Sequence, residues 1–128
     1  QILCGFSAVF GHTYPIFARF KGGKGVGSLI GVLLALFPFV FPLCLIVAIF
    51  VVVTTGYVSL GSIFAAISLP IIILILPGLG IITPNLSLVI FSLLVPWFVI
   101  YTHRSNISRI RNGTENRFDK ALIIKKRK

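Results

Sequence analysis

The sequence predicts an all-α fold: a polytopic helical membrane protein with a single membrane domain over residues 1–128. Two observations predict it. The first is composition: 57% of the 128 residues are hydrophobic, 11% are charged, and the mean hydropathy is +1.08. A soluble domain carries about 25% charged residues. The second is segregation: no Asp, Glu, Lys or Arg stands between Gly25 and His103. A stretch of that length without charge cannot form a soluble surface, and one membrane span needs only about 20 apolar residues. The apolar runs are continuous rather than alternating, which argues against a membrane β-barrel.

The elements follow in order. Gln1–Phe10, "QILCGFSAVF", reads as a partial span. The chain contains no Met and starts inside an apolar run. We therefore expect it to be the C-terminal part of a longer protein, with little activity by itself. Gly11–Gly25, "GHTYPIFARFKGGKG", is a polar, glycine-rich connector. Val26–Thr55 is a long apolar run containing Pro38 and Pro42. Gly56–Ser59 is a short break. Leu60–Leu76 is a span with an expected kink at Pro70. Pro77–Asn85, "PGLGIITPN", is a turn-rich loop. Leu86–Tyr101 is a span that Pro96 can kink, and residues 102–128 form a basic tail. Small residues Gly27, Gly31 and Ala35 mark a face for helix packing. Cys4 and Cys44 read as small buried hydrophobes.

The run Val26–Thr55 decides the topology. One straight helix over it reaches roughly 45 Å, against a hydrocarbon core of about 30 Å. All 12 basic residues fall in two blocks, Arg19–Lys24 and Arg104–Lys128. Lys and Arg beside spans mark the cytoplasmic side. One span over this run puts the two blocks on opposite sides. A hairpin turning near Pro38–Pro42 puts both in the cytoplasm. We therefore expect a helical hairpin over 26–55. The net charge of +10 then belongs to membrane flanks rather than to nucleic acid, and Lys125–Lys128, "KKRK", fits anionic lipid headgroups.

Three polar stretches now share one membrane face. In "FKGGKG" (Phe20–Gly25), the glycines allow close backbone approach and positive φ, and successive N–H groups can form an anion-binding nest. Lys21 and Lys24 add charge. This reads as a phosphate cradle, or equally as an ordinary cationic loop. It is not a Walker A loop, because Lys24 is followed by Gly25 where Ser or Thr is needed. In "YTHRSNISRIRNGTENRFDK" (Tyr101–Lys120), a continuing helix places His103, Asn106, Ile107 and Ile110 on one face, and Arg104, Ser108 and Arg111 on another. Gly113 suits a helix C-terminus. The only acids, Glu115 and Asp119, stand among many arginines and lysines. Glu115 therefore reads as an organiser of arginines rather than a general base. In "GYVSLGS" (Gly56–Ser62), Ser59 is a hydroxyl at the turn, with a helix N-cap as its plainer reading.

Together these stretches resemble the acyl-phosphate:glycerol-3-phosphate acyltransferases, the PlsY family. The resemblance rests on "GHTYPIFARFKGGKGV" (Gly11–Val26), "YVSLGS" (Tyr57–Ser62) and "HRSNISRIRNGTENR" (His103–Arg117). It implies the C-terminal part of a seven-helix bundle in the bacterial plasma or inner membrane, multi-pass, with its site at the cytoplasmic face. It implies transfer of a fatty acyl group from acyl phosphate to the first hydroxyl of glycerol 3-phosphate, giving lysophosphatidic acid and phosphate. Gly22, Gly23, Lys24 and Gly25 are then placed at the phosphate site, with Ser59 nearby. His103 and Asn106 bind or orient glycerol 3-phosphate, and Glu115 and Arg109 organise charge. His12 matches a motif histidine, with a structural role equally open. The sequence departs from the family at Gly56, Ser105 and Arg117, and lacks the family's N-terminal Gly-Ser-x-Pro motif. No cofactor is implied and no metal-ligand cluster is visible. The base is either His103 or the leaving phosphate. A small transporter or channel subunit for an anionic metabolite is the alternative, though it calls for more polar groups within the spans. A lipid-binding membrane anchor explains the tail but not the loop.

Overall fold

The computed structural model describes residues 1–20 and 22–118. The expectations for Lys21, Asp119 and the terminal Lys125–Lys128 lie outside the described residues. All regular structure among the described residues is helical: α1 (Ile2–Thr13), α2 (Val26–Leu36), α3 (Phe41–Thr55), α4 (Val58–Ile75), α5 (Leu86–Thr102) and α6 (Arg104–Arg111). Short 3₁₀ turns cover Ile16–Ala18 and Leu76–Leu79.

Helix α4 is the centre. It packs on α3 and α5, while α1 packs mainly on α2. Its inward residues Leu69 and Ile73 are fully buried. Gly61 permits the close approach to α3: a Cβ there meets Val52 Cγ2 at 2.6 Å and the Ala48 carbonyl oxygen at 2.9 Å. Phe37 and Phe91 stack across the interior with centroids 6.3 Å apart. The outer faces remain apolar, with Ile46, Phe50, Leu74 and Trp97 exposed. Such faces suit a hydrocarbon solvent.

Several boundaries differ from the sequence expectation. α1 continues past Phe10 to Thr13, whose hydroxyl donates to the Val9 carbonyl at 2.9 Å. His12 therefore sits on a helix rather than in the connector, and Pro15 then stops the helix, because the residue before proline avoids the α region. The run 26–55 breaks at residues 37–40, beside Pro38. α4 starts at Val58, so Ser59 lies in its first turn. The N-cap is Tyr57, which has no side-chain cap bond, and the N-cap reading of Ser59 is set aside. α4 passes through Pro70 without interruption. Cys44 is buried, but Cys4 is exposed, because α1 has neighbours on only part of its circumference. Among the described residues one helix is long and apolar enough to cross a membrane alone, Val58–Leu79. α5 and α6 add a second if taken as one bent span of 57°.

Candidate active site

The site forms where four helix ends meet. α2 begins at Gly25, which takes the left-handed conformation (φ 73°). α3 ends at Gly56, also left-handed (φ 80°). α4 begins nearby with Ser59, and α5 gives way to α6 at His103. Lys24, Ser59, His103, Asn106, Arg109 and Glu115 line one open cleft of about 1130 Å³, counting the space open to solvent.

The periodicity of α6 holds. His103 and Asn106 are buried on one face, and Arg104, Ser108 and Arg111 are exposed on another. The helix then closes with a reversal: Gly113 (φ 70°) sends its N–H to the Ile110 carbonyl, and Thr114 sends its own to Arg109. This is the Schellman pattern, which needs a residue free to adopt positive φ. It swings Glu115 back against α6 and α4. Glu115 Oε1 accepts from Ser59 Oγ at 2.9 Å and from Asn106 Nδ2 at 2.5 Å. Oε2 accepts from Arg109 Nε at 2.7 Å. Glu115 is therefore held well below the usual carboxylate range, at about 2. The Asn106 amide contributes most, Arg109 and Ser59 add to it, and burial acts the other way. Both oxygens of the ionised carboxylate are thus engaged by donors.

His103 is 2% exposed. Its Nδ1 lies 2.8 Å from the Val99 carbonyl oxygen. A carbonyl only accepts, so Nδ1 carries the proton and Nε2 keeps its lone pair. Burial pushes the imidazole below the ordinary histidine value. The Lys24 charge acts in the same sense, while the Val99 carbonyl and Glu115 oppose it. The neutral ring has one basic nitrogen left. Asn106 is 3% exposed, and its Oδ1 has no partner.

The glycine loop stands partly apart. Gly22 and Gly23 line a second recess with Thr102, Arg104 and Ser105. Lys24 lines both recesses. The glycines also have a packing reason. A Cβ on Gly22 collides with the His12 and Thr13 carbonyl oxygens, and one on Gly25 meets Thr13 Oγ1 at 2.6 Å. The loop lies directly on the end of α1. His12 is exposed and flanks Gly23, with Nε2 2.9 Å from where a Cβ would stand, and it lines neither recess.

Sequence reasoning missed a strap beyond Glu115. The Phe118 N–H donates to the Gly56 carbonyl at 2.8 Å. Arg117 Nε donates to the Thr55 carbonyl at 3.2 Å, and its guanidinium lies 5.8 Å from the Tyr57 ring centroid. Gly56 has no room for a side chain there, since a Cβ meets Arg117 Cγ at 2.7 Å. The partners are 62 positions apart, and no local spacing links them.

A sequence profile of the glycerol-3-phosphate acyltransferase family matches residues 1–113. The chain belongs to that family. The match covers Gly22–Gly25, Ser59, His103 and Asn106, and ends two residues before Glu115. Among curated glycerol-3-phosphate acyltransferases, the protein from Salinibacter ruber is 45% identical over 116 residues, covering 90% of this chain and 50% of its own length. The protein from Syntrophomonas wolfei is 43% identical over 121 residues, covering 94% and 59%. A crystal structure of PlsY (YgiH), an integral membrane glycerol 3-phosphate acyltransferase, in its glycerol 3-phosphate form superposes with a TM-score of 0.81 at 34% identity. It covers 91% of this chain and 56% of that one. The lysophosphatidic acid form gives 0.80. The likeness supports the all-α membrane fold. The chain spans between half and three fifths of the length of these acyltransferases.

Proposed function

We propose that this chain forms part of a membrane enzyme that moves a fatty acyl group from acyl phosphate to the first hydroxyl of glycerol 3-phosphate. The observation that carries the reading is the cleft itself. An ionised Glu115 fixes Ser59, Asn106 and Arg109 around it, beside a neutral His103 and opposite Lys24. Family membership supports it, as do the glycerol 3-phosphate and lysophosphatidic acid forms of PlsY.

In the proposed reaction the first hydroxyl attacks the acyl carbonyl. A carbon–oxygen bond forms to glycerol 3-phosphate, and the bond between the acyl carbon and the phosphate oxygen breaks. The electron pair leaves with phosphate. The hydroxyl proton goes to His103 Nε2 or to the departing phosphate. Phosphate leaves readily from a mixed anhydride, so the protein supplies position and charge. Lys24 supplies charge at the phosphates, and the Gly22–Gly25 loop supplies backbone N–H groups, with His12 holding the loop. No cofactor is needed for this step. We further propose that α2 leaves the cleft and α3 returns to it across the bilayer, in a multi-pass protein of the bacterial plasma or inner membrane, with membrane lipids around the bundle and the cleft in the cytoplasm.

The test is incubation of the full-length protein with acyl phosphate and labelled glycerol 3-phosphate. Lysophosphatidic acid and phosphate in equal amounts are expected. Labelled glycerol 3-phosphate that crosses a liposome wall unchanged, with no lysophosphatidic acid, would identify a carrier instead.

A further inference from the structure

We propose that the turn over Ile16–Phe20 is a wedge seated in lipid. Ile16, Phe17 and Phe20 enter the cytoplasmic leaflet, Arg19 meets its anionic headgroups, and the adjoining Gly22–Lys24 loop is thereby held at the depth of the lipid phosphates. The contact rests on the membrane fold; its consequence for acyl phosphate rests on the function proposed above.

The turn is short, closed and apolar on the outside. Ala18 and Phe20 both send their N–H to the Pro15 carbonyl, at 3.2 and 3.0 Å, and Arg19 sends its own to Ile16 at 3.2 Å. Among the described residues, only Arg19 and Phe20 have positive φ without being glycine, at 52° and 59°. Bulky side chains adopt that region at a cost. The turn nevertheless leaves Ile16 and Phe20 exposed and Phe17 fully exposed. Water is a poor solvent for three such side chains together, and a cluster of this kind marks a contact with a membrane or a partner.

Two observations favour the bilayer. The first is continuity with the lipid-facing side of the bundle. Leu3, Phe6 and Phe10 are exposed along α1. Phe6 stacks on Phe10 with centroids 6.2 Å apart, and Phe10 meets the half-buried Tyr14 at 5.0 Å. This apolar column climbs α1 to its end at Thr13, and a tyrosine at its top suits the headgroup boundary. Ile16 follows three residues later, so it lies within about 11 Å of that end. The second is charge. Arg19, Lys24 and Arg104 are exposed at this end of the molecule, and the only described acid, Glu115, is already engaged by Ser59, Asn106 and Arg109. Aromatic side chains beside cations with no acid to answer them fit an anionic leaflet.

The position of the wedge gives it a use. Phe20 stands two residues before Gly22, and Lys24 lines both recesses. Acyl phosphate carries its phosphate on a chain dissolved in the bilayer, so that phosphate rides among the headgroups. A loop pinned at the same depth meets it without drawing the chain out of lipid.

The test places a nitroxide on Phe17→Cys in the full-length protein, with its other cysteines replaced by alanine, in vesicles of phosphatidylcholine and phosphatidylglycerol. Electron paramagnetic resonance then compares collisions with oxygen, which dissolves in lipid, and with a water-soluble nickel chelate. Oxygen should dominate at position 17, and the chelate should dominate for the same label on Arg111→Cys. Ile16→Cys repeats the depth measurement if the first variant does not fold. A label at 17 reached mainly by the chelate would overturn the wedge. A label shielded from both reagents would overturn it too, since polypeptide rather than lipid would then cover the turn. Unlabelled Phe17→Asp should raise the KM for palmitoyl phosphate carried in the vesicles about three- to tenfold, with the KM for glycerol 3-phosphate within about twofold of the wild type. An unchanged KM for palmitoyl phosphate would overturn the seating of the loop. A wild type that forms no lysophosphatidic acid would instead sink the proposed function and leave the depth measurement to decide the lipid contact.

Discussion

At the scale of single residues, Glu115 and the glycines carry the most specific consequences. Glu115 has a depressed pKa, so it stabilises the fold when ionised. That contribution is complete above the ordinary carboxylate pKa of about 4.3 and is lost as pH falls through about 2. The unfolding midpoint in detergent should therefore drop between pH 5 and pH 2, and should drop less in Glu115→Gln. Equal drops would mean that the carboxylate is not paired as described. The glycines separate packing from binding. Gly22→Ala drives a methyl group into the carbonyls of α1, which cannot shift without unwinding its last turn. A loss of about 1–3 kcal/mol is expected, read by thermal unfolding. Gly23→Ala meets only the tip of the His12 ring, which can rotate away. It should leave the unfolding midpoint nearly unchanged and raise the KM for acyl phosphate, while unchanged kinetics would reduce Gly23 to a connector residue. Much at this scale was legible beforehand. The spacing of His103 and Asn106 places them on one buried face, and Glu115 stands out as a scarce acid among arginines. The contact between Ser59 and Glu115 was not legible, because it joins residues 56 positions apart. Local signals report helix faces, not which helices meet.

At the scale of elements, helix ends matter more than helix bodies. The long apolar run had to break near Pro38, and it does so at residues 37–40. The Schellman reversal at Gly113 and the strap at Gly56 then bring the chain after α6 back to the junction of α3 and α4. Glu115 is held from both sides, by α6 before it and by Arg117 and Phe118 after it. Arg117→Ala removes the bond to Thr55 and the contact with Tyr57. It should lower stability by about 1–2 kcal/mol and reduce kcat along with it, with Arg117→Lys restoring much of both. If Arg117→Ala matches the wild type in melting temperature and kcat, the strap has no part in holding Glu115. The sequence showed Gly56 as a break, and a glycine at φ 80° ends α3 as a break requires. It could not show that the carbonyl there receives Phe118, since that depends on a reversal five residues earlier in the chain.

At the scale of the whole molecule, topology and activity are one question. Lys24 and Asn106 line the same cleft, while α4 leads away from it toward Ile81. With Cys4 and Cys44 replaced by alanine, cysteines at Lys24 and Arg111 should react with an impermeant maleimide from the cytoplasmic side, and one at Ile81 from the opposite side. Labelling of Lys24→Cys and Arg111→Cys from different sides would break the proposed hairpin. The most direct measurement of the central claim is a phosphorus NMR time course. The full-length protein, wild type and Glu115→Gln, is supplied with acyl phosphate and glycerol 3-phosphate at equal amounts of folded protein. In the wild type, the acyl phosphate signal should give way to inorganic phosphate while the glycerol 3-phosphate signal gives way to lysophosphatidic acid, in equal measure. In Glu115→Gln, transfer should slow at least about tenfold while the helical content stays the same. Lysophosphatidic acid formed at equal rates by both proteins would contradict the assignment of this cleft as the place of transfer.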